Sequence, residues 1–453
     1  MANAEHGSMT VSQDPVHVRR RRVVLIGLLV ALLVVGWGLT RVLGGGDGAA
    51  APAAQENGEA AASGTDDAGD AEDSGDGDAE TAEGSTEDDG NGDGDPTTEA
   101  EAEFWQQQPG DPEHASDTTA LEQVDYLTGG LTPKSVMASG HGLMIANNMM
   151  YSHTSTVFDS RTREQVAVLD DSLELAEFGI EGHPGTSKGS PVEAVWTEDG
   201  RYAYVSQYTM YGENFGVEGF DACTKDSGVG RSFVYRFDAQ EMDWDQVIGV
   251  GAVPKYLAIS PDQSRLLVSN WCDETISVID TEKAEEVGVI PLSAAPRGIV
   301  IMPDNRTAYA VAMYAEQLYK LDLEEGSAEV VMSTALRPRH LNLADEGRTL
   351  YLTTSAGNTI FKIDTSTDEI VDQVEPGLEP RSVALSPDEK ALYVVNYNDA
   401  SVAKVRTSDM EVIDTVPVDA NPIGIDYDPV TNTVWVACYG GSIYVFDDQS
   451  TLL

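Results

Sequence analysis

The chain has 453 residues, and its 27 Lys and Arg residues stand against 77 Asp and Glu, which gives a formal net charge of −50. A charge of this sign disfavours binding to duplex nucleic acid, because such binding depends on basic surfaces that displace phosphate counterions. The length suits one large domain with an appendage.

The N-terminus has the pattern of a membrane anchor. Residues 1–22 are polar and end in four consecutive arginines, and residues 23–40 follow without a charge. This pattern predicts a single transmembrane helix over 23–40, with residues 1–22 in the cytoplasm and the rest of the chain outside the cell membrane. The alternative is a cleaved signal peptide and a secreted protein, for which the small residues at 49–54 offer a cleavage site.

Residues 41–103 are predicted to be a disordered acidic linker. From residue 44 to 103 the sequence has twenty acids and neither Lys nor Arg, so it cannot bury a core and repels itself. Asp89, Asn91 and Asp93 match the start of an EF-hand loop, but Ala100 stands where the loop needs its last carboxylate. No metal site is therefore expected.

Residues 104–453 are predicted to form one domain built from a repeat. Prolines open five copies at a constant spacing of 42 residues: Pro254, Pro296, Pro338, Pro380 and Pro422. Two earlier copies open at Pro133 and Pro191, and insertions lengthen their spacings to 58 and 63 residues. Each copy contains short β-type segments separated by turn residues, so the sequence predicts an all-β, seven-bladed β-propeller of four-stranded blades.

The seventh copy contains three strand patterns, and a fourth is supplied from elsewhere. Residues 121–129 alternate apolar and polar side chains like the fourth strand of the other copies. We expect this N-terminal strand to complete blade seven, which would close the ring and remove an exposed sheet edge.

Several short motifs within the copies carry a family resemblance. They are YVSQY, LVSNW, YVVNY and SVIDT, accompanied by SPDQ and SPDE turns. With these motifs, residues 121–453 resemble the YVTN-repeat propellers, including the YncE-like group. The resemblance implies a β-propeller in a secreted or surface-attached protein, and some related sequences are lactonases or cofactor-binding dehydrogenases. In copies four and five, AVAM and YLTT replace the Asn-aromatic pair.

One phase of the repeat is basic, although residues 104–453 contain 55 acids against 22 bases. Five copies place a cation directly after the opening proline: Lys134, Lys255, Arg297, Arg339 and Arg381. The first strand of each blade lines the central channel, so these positions are expected to form a ring at the channel mouth.

Like charges in a narrow mouth repel by about 1 kcal/mol for a pair about 4 Å apart in water, and by more when buried. The ring therefore predicts a bound anion, such as a carboxylate, phosphate or sulfate, held by arginine forks. His340 follows Arg339 and is a further candidate ligand. The alternative is local pairing, for example of Arg381 with Glu379, or side chains that extend into solvent.

The link between strands two and three should lie on the same face and is rich in aromatic and amide residues. The candidate ligand-binding residues there are Tyr208, Asn270, Trp271, Asn396, Tyr397 and Tyr439. Such side chains suit recognition of sugars, peptides or single-stranded bases, and they equally suit packing within the propeller.

Two insertions are predicted on this face. One occupies the strand-two to strand-three link of copy two, and the other covers roughly residues 173–190, including His183. Cys223 in the first insertion and Cys272 in the equivalent link of the next blade predict a disulfide in an oxidising compartment. Cys438 is expected to be a buried thiol.

Enzyme motifs are lacking: there is no nucleophile elbow, HExxH, CxxCH or histidine cluster, and no cofactor is expected. The sequence therefore favours a membrane-anchored, extracellular binding or scaffolding module at the cell envelope. Its expected partner is an anionic small molecule, a glycan or an envelope protein, and the protein is expected to be monomeric. The alternative is an envelope enzyme of the propeller lactonase or hydrolase type.

Overall fold

The computed structural model describes residues 104–208, 222–334 and 336–452. The predictions for residues 1–22, 23–40 and 41–103 lie outside these ranges. Within them, none of the helices has the length and hydrophobicity needed to cross a membrane. The described residues form seven four-stranded antiparallel sheets and one additional hairpin.

The strands are numbered in chain order. The first, β1, spans Thr119–Thr128. Blade one contains β2 (Ser135–Ala138), β3 (Leu143–Asn148), β4 (Thr154–Asp159) and β5 (Gln165–Asp170). The hairpin β6 (Ser172–Glu174) and β7 (Thr186–Lys188) follows, and then blade two contains β8 (Pro191–Trp196), β9 (Tyr202–Gln207), β10 (Ser232–Asp238) and β11 (Asp243–Val250). Blade three contains β12 (Pro254–Ile259), β13 (Arg265–Asn270), β14 (Thr275–Asp280) and β15 (Glu285–Pro291).

The remaining blades keep this order. Blade four contains β16 (Pro296–Ile301), β17 (Thr307–Ala312), β18 (Gln317–Asp322) and β19 (Ser327–Ser333). Blade five contains β20 (Pro338–Ala344), β21 (Thr349–Thr354), β22 (Thr359–Asp364) and β23 (Glu369–Val374). Blade six contains β24 (Pro380–Leu385), β25 (Ala391–Asn396), β26 (Ser401–Arg406) and β27 (Glu411–Pro417). The last strands are β28 (Pro422–Asp428), β29 (Thr433–Cys438) and β30 (Ser442–Thr451), and short 3-10 helices span Ser116–Thr118, Leu175–Phe178, Lys225–Ser227 and Asp345–Gly347.

The first strands of the blades make a closed ring. Each one contacts the first strand of the next blade, in the order β2, β8, β12, β16, β20, β24, β28 and back to β2. The predicted seven-bladed β-propeller of four-stranded blades is confirmed. The opening prolines Pro191, Pro254, Pro296, Pro338, Pro380 and Pro422 each begin the innermost strand of a blade.

In the sheet that contains β28, β29 and β30, the outermost strand is β1, which pairs antiparallel with β30. This strand begins at Thr119, two positions before the segment predicted from the sequence. The segment before β1 contacts several blades, from blades one and two to blade six. Trp105 packs among the buried residues of blades one and two, the Gly110 N–H donates to the Pro429 carbonyl (2.8 Å), and the Ser116 hydroxyl donates to Asp388.

Turn geometry accounts for part of the acidity. The carboxylate of Asp262 accepts the Ser264 N–H (3.0 Å), and Asp304 accepts the N–H groups of Arg306 (2.9 Å) and Thr307 (2.8 Å). A short acidic side chain closes such a turn by bonding backbone two or three residues on. These aspartates therefore stabilise links between the first and second strands.

Candidate binding site at the channel mouth

The antiparallel order of each blade places two sets of links on one face, called here the mouth face. It contains the links between strands two and three and the links that lead from one blade to the first strand of the next. Backbone hydrogen bonds join the two sets: Trp271 N–H to Val253 O (3.0 Å), Tyr397 N–H to Glu379 O (3.0 Å), and Tyr439 N–H to Asn421 O (3.1 Å). The innermost strands begin at this face.

The five cations of the predicted ring are all buried, with exposures between 4% and 9%. In blades three to six the cation lies in a β-bulge, because the pairing of the first two strands slips just after the opening proline. A bulge turns a side chain away from the regular alternation of a strand. This explains how one repeat position can be basic in a strand that otherwise packs into the propeller.

Two cations of the ring form ion pairs within the protein. Lys134 Nζ lies 2.9 Å from Glu193 Oε1, and the Arg381 guanidinium lies 2.6 Å from Glu379 Oε1. The second pair is the local pairing that the sequence left as an alternative. Arg381 also covers the ring of Tyr397, with Cζ 3.3 Å from the ring centroid.

Lys255 is held by aromatic side chains. Its Nζ donates to the Tyr208 hydroxyl at 2.7 Å and lies 4.0 Å from the Tyr208 ring centroid and 4.9 Å from the Trp271 centroid. Cation–π contact of this kind stabilises a partly desolvated ammonium. Tyr208 and Trp271 are themselves buried, so both pack inside the propeller against Lys255.

Arg297 differs from these cations. Among the described residues, no carboxylate lies within ion-pair distance of its guanidinium and no acceptor within hydrogen-bond distance, although the side chain is only 9% exposed. Its guanidinium lies over the Trp271 ring, with Cζ 6.0 Å from the ring centroid. A guanidinium has five N–H donors and stays charged at any physiological pH. Arg297 is therefore a buried cation with unused donors.

The electrostatic effect of Arg297 and Arg339 reaches other groups in the channel. Burial lowers the pKa of Lys134 to about 7, Glu193 opposes this shift, and both arginines add to it. Burial also lowers the pKa of His340 to about 3, with Lys134, Arg297 and Arg339 as further causes. Both arginines therefore act on the pKa values of Lys134 and His340.

His340 forms a contact that spans a blade. Its Nε2 lies 2.8 Å from the Tyr256 hydroxyl, although β12 and β20 are separated by β16. Gly298 is the equivalent residue of β16, and its lack of a side chain allows close packing, because a β-carbon would lie 2.7 Å from the Arg339 carbonyl oxygen. Burial raises the pKa of Tyr256, so the hydroxyl and the imidazole meet as neutral groups.

Tyr256 and Glu193 were not predicted as site residues. Both occupy the repeat position directly after that of the five cations, as His340 does. The position of His340 in the repeat could therefore have pointed to them. One further acidic group, Asp426, accepts the Ala138 N–H at 2.8 Å, and burial raises the pKa of its carboxyl to about 7.

The amide and aromatic candidates divide into two groups. Asn270 and Asn396 are fully buried, and their side-chain amides donate to serines of their own hairpins, Ser277 (2.8 Å) and Ser401 (3.2 Å). Tyr397 and Tyr439 are only half-buried, and their ring centroids lie 6.4 Å apart. The two tyrosines are thus the candidates from this group that a ligand can reach.

Both insertions border the mouth face. Cys223 and Cys272 are joined in a disulfide with a Cα–Cα distance of 5.2 Å, and Cys438 is a buried free thiol. Residues 209–221 of the first insertion lie outside the described residues. The second contains β6 and β7, and the ring of His183 stands edge-on to Phe233 with centroids 5.4 Å apart. In the described part of the chain, no group of three or more metal-binding side chains occurs.

The fold is a seven-bladed β-propeller, and five buried cations lie near the start of its innermost strands. No family model matches the chain, and no curated protein matches it. Among solved structures, the chain is similar to Kuenenia stuttgartiensis Hydrazine Synthase, with 18% sequence identity and a TM-score of 0.53 over 72% of this chain and 98% of that chain. In all, 1709 solved chains match, so the likeness shows a widespread fold and indicates no activity. The resemblance to the YVTN-repeat family stays a prediction.

Proposed function

We propose that this protein is a binding module of the cell envelope whose channel mouth holds an anionic ligand. The propeller fold suits a binding or scaffolding role, because it presents many links on one rigid face. The observation that carries the proposal is Arg297, which is buried at the mouth without a carboxylate or a hydrogen-bond acceptor among the described residues.

Burying a charged side chain without a partner costs several kcal/mol in real proteins. Lys134 and Arg381 offset this cost with Glu193 and Glu379. For Arg297 a ligand would do so. A carboxylate, phosphate or sulfate group can accept two parallel hydrogen bonds from one guanidinium, which adds orientation to charge attraction.

The location is the second part of the proposal. We place residues 1–22 in the cytoplasm, residues 23–40 in the membrane and the propeller outside, tethered by residues 41–103. The arginines before the apolar segment support this orientation. The Cys223–Cys272 disulfide supports an oxidising compartment. The YVTN-type motifs are consistent with a surface-attached propeller.

Thermal unfolding of the purified protein with phosphate, sulfate, uronate and small carboxylates tests the anion site. A ligand at about one hundred times its Kd stabilises a protein by about 2.7 kcal/mol, so a raised Tm is expected with at least one of them. We expect Arg297→Gln to abolish this shift while leaving the unliganded Tm equal or higher, since a buried unpaired charge is removed.

The matched control is Arg381→Gln, the same substitution at the same repeat position. Because it breaks the ion pair with Glu379, it should lower the unliganded Tm. The proposal fails if no anion raises the Tm of the unmutated protein and Arg297→Gln lowers stability as Arg381→Gln does.

A further inference from the structure

Four exposed apolar side chains stand on the mouth face and are called here the apolar rim. They are Tyr151 (72% exposed), Tyr314 (52%), Leu336 (49%) and Leu378 (51%). Tyr151 and Tyr314 lie in the strand-two to strand-three links of blades one and four. Leu336 and Leu378 lie in the links that lead into blades five and six. The rim therefore belongs to the same set of links that surrounds the basic mouth.

The links of the opposite face lack this feature, and the exposed apolar residues near that face, Phe104 (39%) and Leu452 (38%), belong to the segments before β1 and after β30. None of its described links, which join strands one and two or strands three and four, has an exposed large apolar side chain. Charged pairs occur there instead, such as Arg306 with Asp322 (2.8 Å) and Arg406 with Asp409 (2.9 Å). Exposed apolar side chains on the links of one face are available for contact with a partner.

The rim residues are held by the links rather than projecting from loose chain. The Tyr314 ring packs edge-on against Trp271, with centroids 5.1 Å apart, and the Tyr314 N–H donates to the Ala294 carbonyl at 3.3 Å. The Leu378 N–H donates to the Asp399 carboxylate at 2.5 Å. The Tyr314 side chain and the backbone of the Leu378 link therefore lose little entropy when a partner covers them.

We propose that the mouth face docks an acidic segment of a partner polypeptide, with a carboxylate at Arg297 and apolar side chains on the rim. This rests on the proposed anion site and names its ligand class. Leucines have no ring face on which a sugar can stack, so a surface that combines Leu336 and Leu378 with tyrosines fits peptide side chains better than an acidic glycan.

Charge supports the same partner. The domain is acidic, so an acidic segment is repelled from most of the surface and attracted at the mouth. Such an arrangement sets the register of the bound segment, while the apolar contacts slow its release.

A displayed library of short random peptides, selected on the full chain, tests the inference. We expect the enriched peptides to combine Asp or Glu with large apolar residues. Their affinity for the double variant Tyr314→Ser/Leu378→Ser should fall about tenfold or more, as expected when central apolar contacts are lost. The matched control is Val289→Ser, which removes an exposed apolar residue from the outer strand β15 and should leave the affinity unchanged.

Sulfate binding, followed by thermal unfolding, separates this inference from the proposed function. The rim variant should keep the sulfate-induced shift, and Arg297→Gln should lose both sulfate and peptide. If sulfate binds but no acidic peptide is enriched, or if polygalacturonate competes with sulfate independently of the rim, the peptide surface is refuted and the anion site stands. If neither sulfate nor peptide binds, both are refuted.

Discussion

Lys404 of β26 and Asp448 of β30 form an ion pair that is completely buried between the sixth and seventh blades. The Lys404 ammonium also donates to the carbonyl oxygen (2.8 Å) and the hydroxyl (2.7 Å) of Thr119, the first residue of β1. Asp448 accepts a hydrogen bond from the Tyr393 hydroxyl as well. Burial lowers the pKa of Lys404 and raises that of Asp448, and their attraction opposes both shifts. One cation thus joins three strands that are distant in sequence.

Replacing Lys404 by Met should destabilise the protein strongly. The change leaves the Asp448 carboxylate buried without its cation, which typically costs about 3–5 kcal/mol. Urea unfolding measures the loss. The double variant Lys404→Met/Asp448→Asn should recover part of it, because no uncompensated charge remains. Lys283→Met, which breaks the exposed pair with Asp280, should cause no measurable loss, and an equal effect of the two lysine changes would contradict the prediction.

Removal of β1 should weaken the ring. We expect a shortened chain that begins at Leu131 to melt lower or aggregate compared with one that begins at Phe104, because the edge of β30 and the Lys404 ammonium both lose their partners. A chain that begins at Thr119 keeps the strand and lacks only the segment before it. Its Tm should lie between those of the other two chains, because the removed segment contains the buried Trp105. Equal stability of all three chains would show that β1 does not secure the ring.

The repeat made the fold predictable from the sequence. Six opening prolines begin the innermost strands, so one spacing fixes where each blade starts and which residues share a phase. The pair of Lys404 and Asp448 could not be predicted in this way. Lys320 and Lys362 occupy the same repeat position as Lys404, but Lys320 pairs with Asp368 and Lys362 donates to the Thr407 carbonyl. The repeat position therefore predicts a lysine without identifying its partner in the adjacent blade.

The candidate site was predictable to the same extent. The shared repeat position of Arg297 and Arg381 followed from the spacing of the prolines. Their different partners did not, because the ion pair of Arg381 depends on Glu379, two residues before it. The contact of Tyr256 with His340 depends on Gly298 in the blade between them. A contact that depends on three different residues at one repeat position cannot be predicted from the repeat spacing.

Asp426 should make stability fall as the pH rises. Burial raises the pKa of its carboxyl from 3.8 to about 7, so between these values the folded state keeps a proton that the unfolded state has released. Its contribution to stability is complete below the unfolded pKa and is lost as the pH passes about 7. Asp426→Asn should therefore stabilise the protein above neutrality by about 1–4 kcal/mol and change little in acid.

Unfolding of the Asp426→Asn variant across this pH range measures the effect, and the asparagine can still accept the Ala138 N–H. The control is Asp262→Asn, since the hydrogen bond from Ser260 is the main cause that lowers the pKa of Asp262. That variant should show the opposite sign and lose stability at neutral pH. Parallel pH profiles for the two variants would refute the assignment.

Anion binding at the mouth should take up protons through Lys134. Burial, Arg297 and Arg339 bring the pKa of this ammonium down to about 7, and an anion nearby would raise it again by favouring the charged form. Affinity should therefore rise as the pH falls through about 7 and level off below it. Sulfate is the suitable ligand, because its charge is constant over this range, and calorimetry in buffers of different ionisation enthalpy measures the protons directly.

Lys134→Arg provides the decisive comparison. Arginine can keep the ion pair with Glu193 but stays charged throughout the range. We expect this variant to bind sulfate with an affinity independent of pH and without proton uptake. If the unmutated protein binds sulfate without taking up protons, or if Lys134→Arg keeps the full pH dependence, then Lys134 does not sense the ligand and the anion lies elsewhere than beside it.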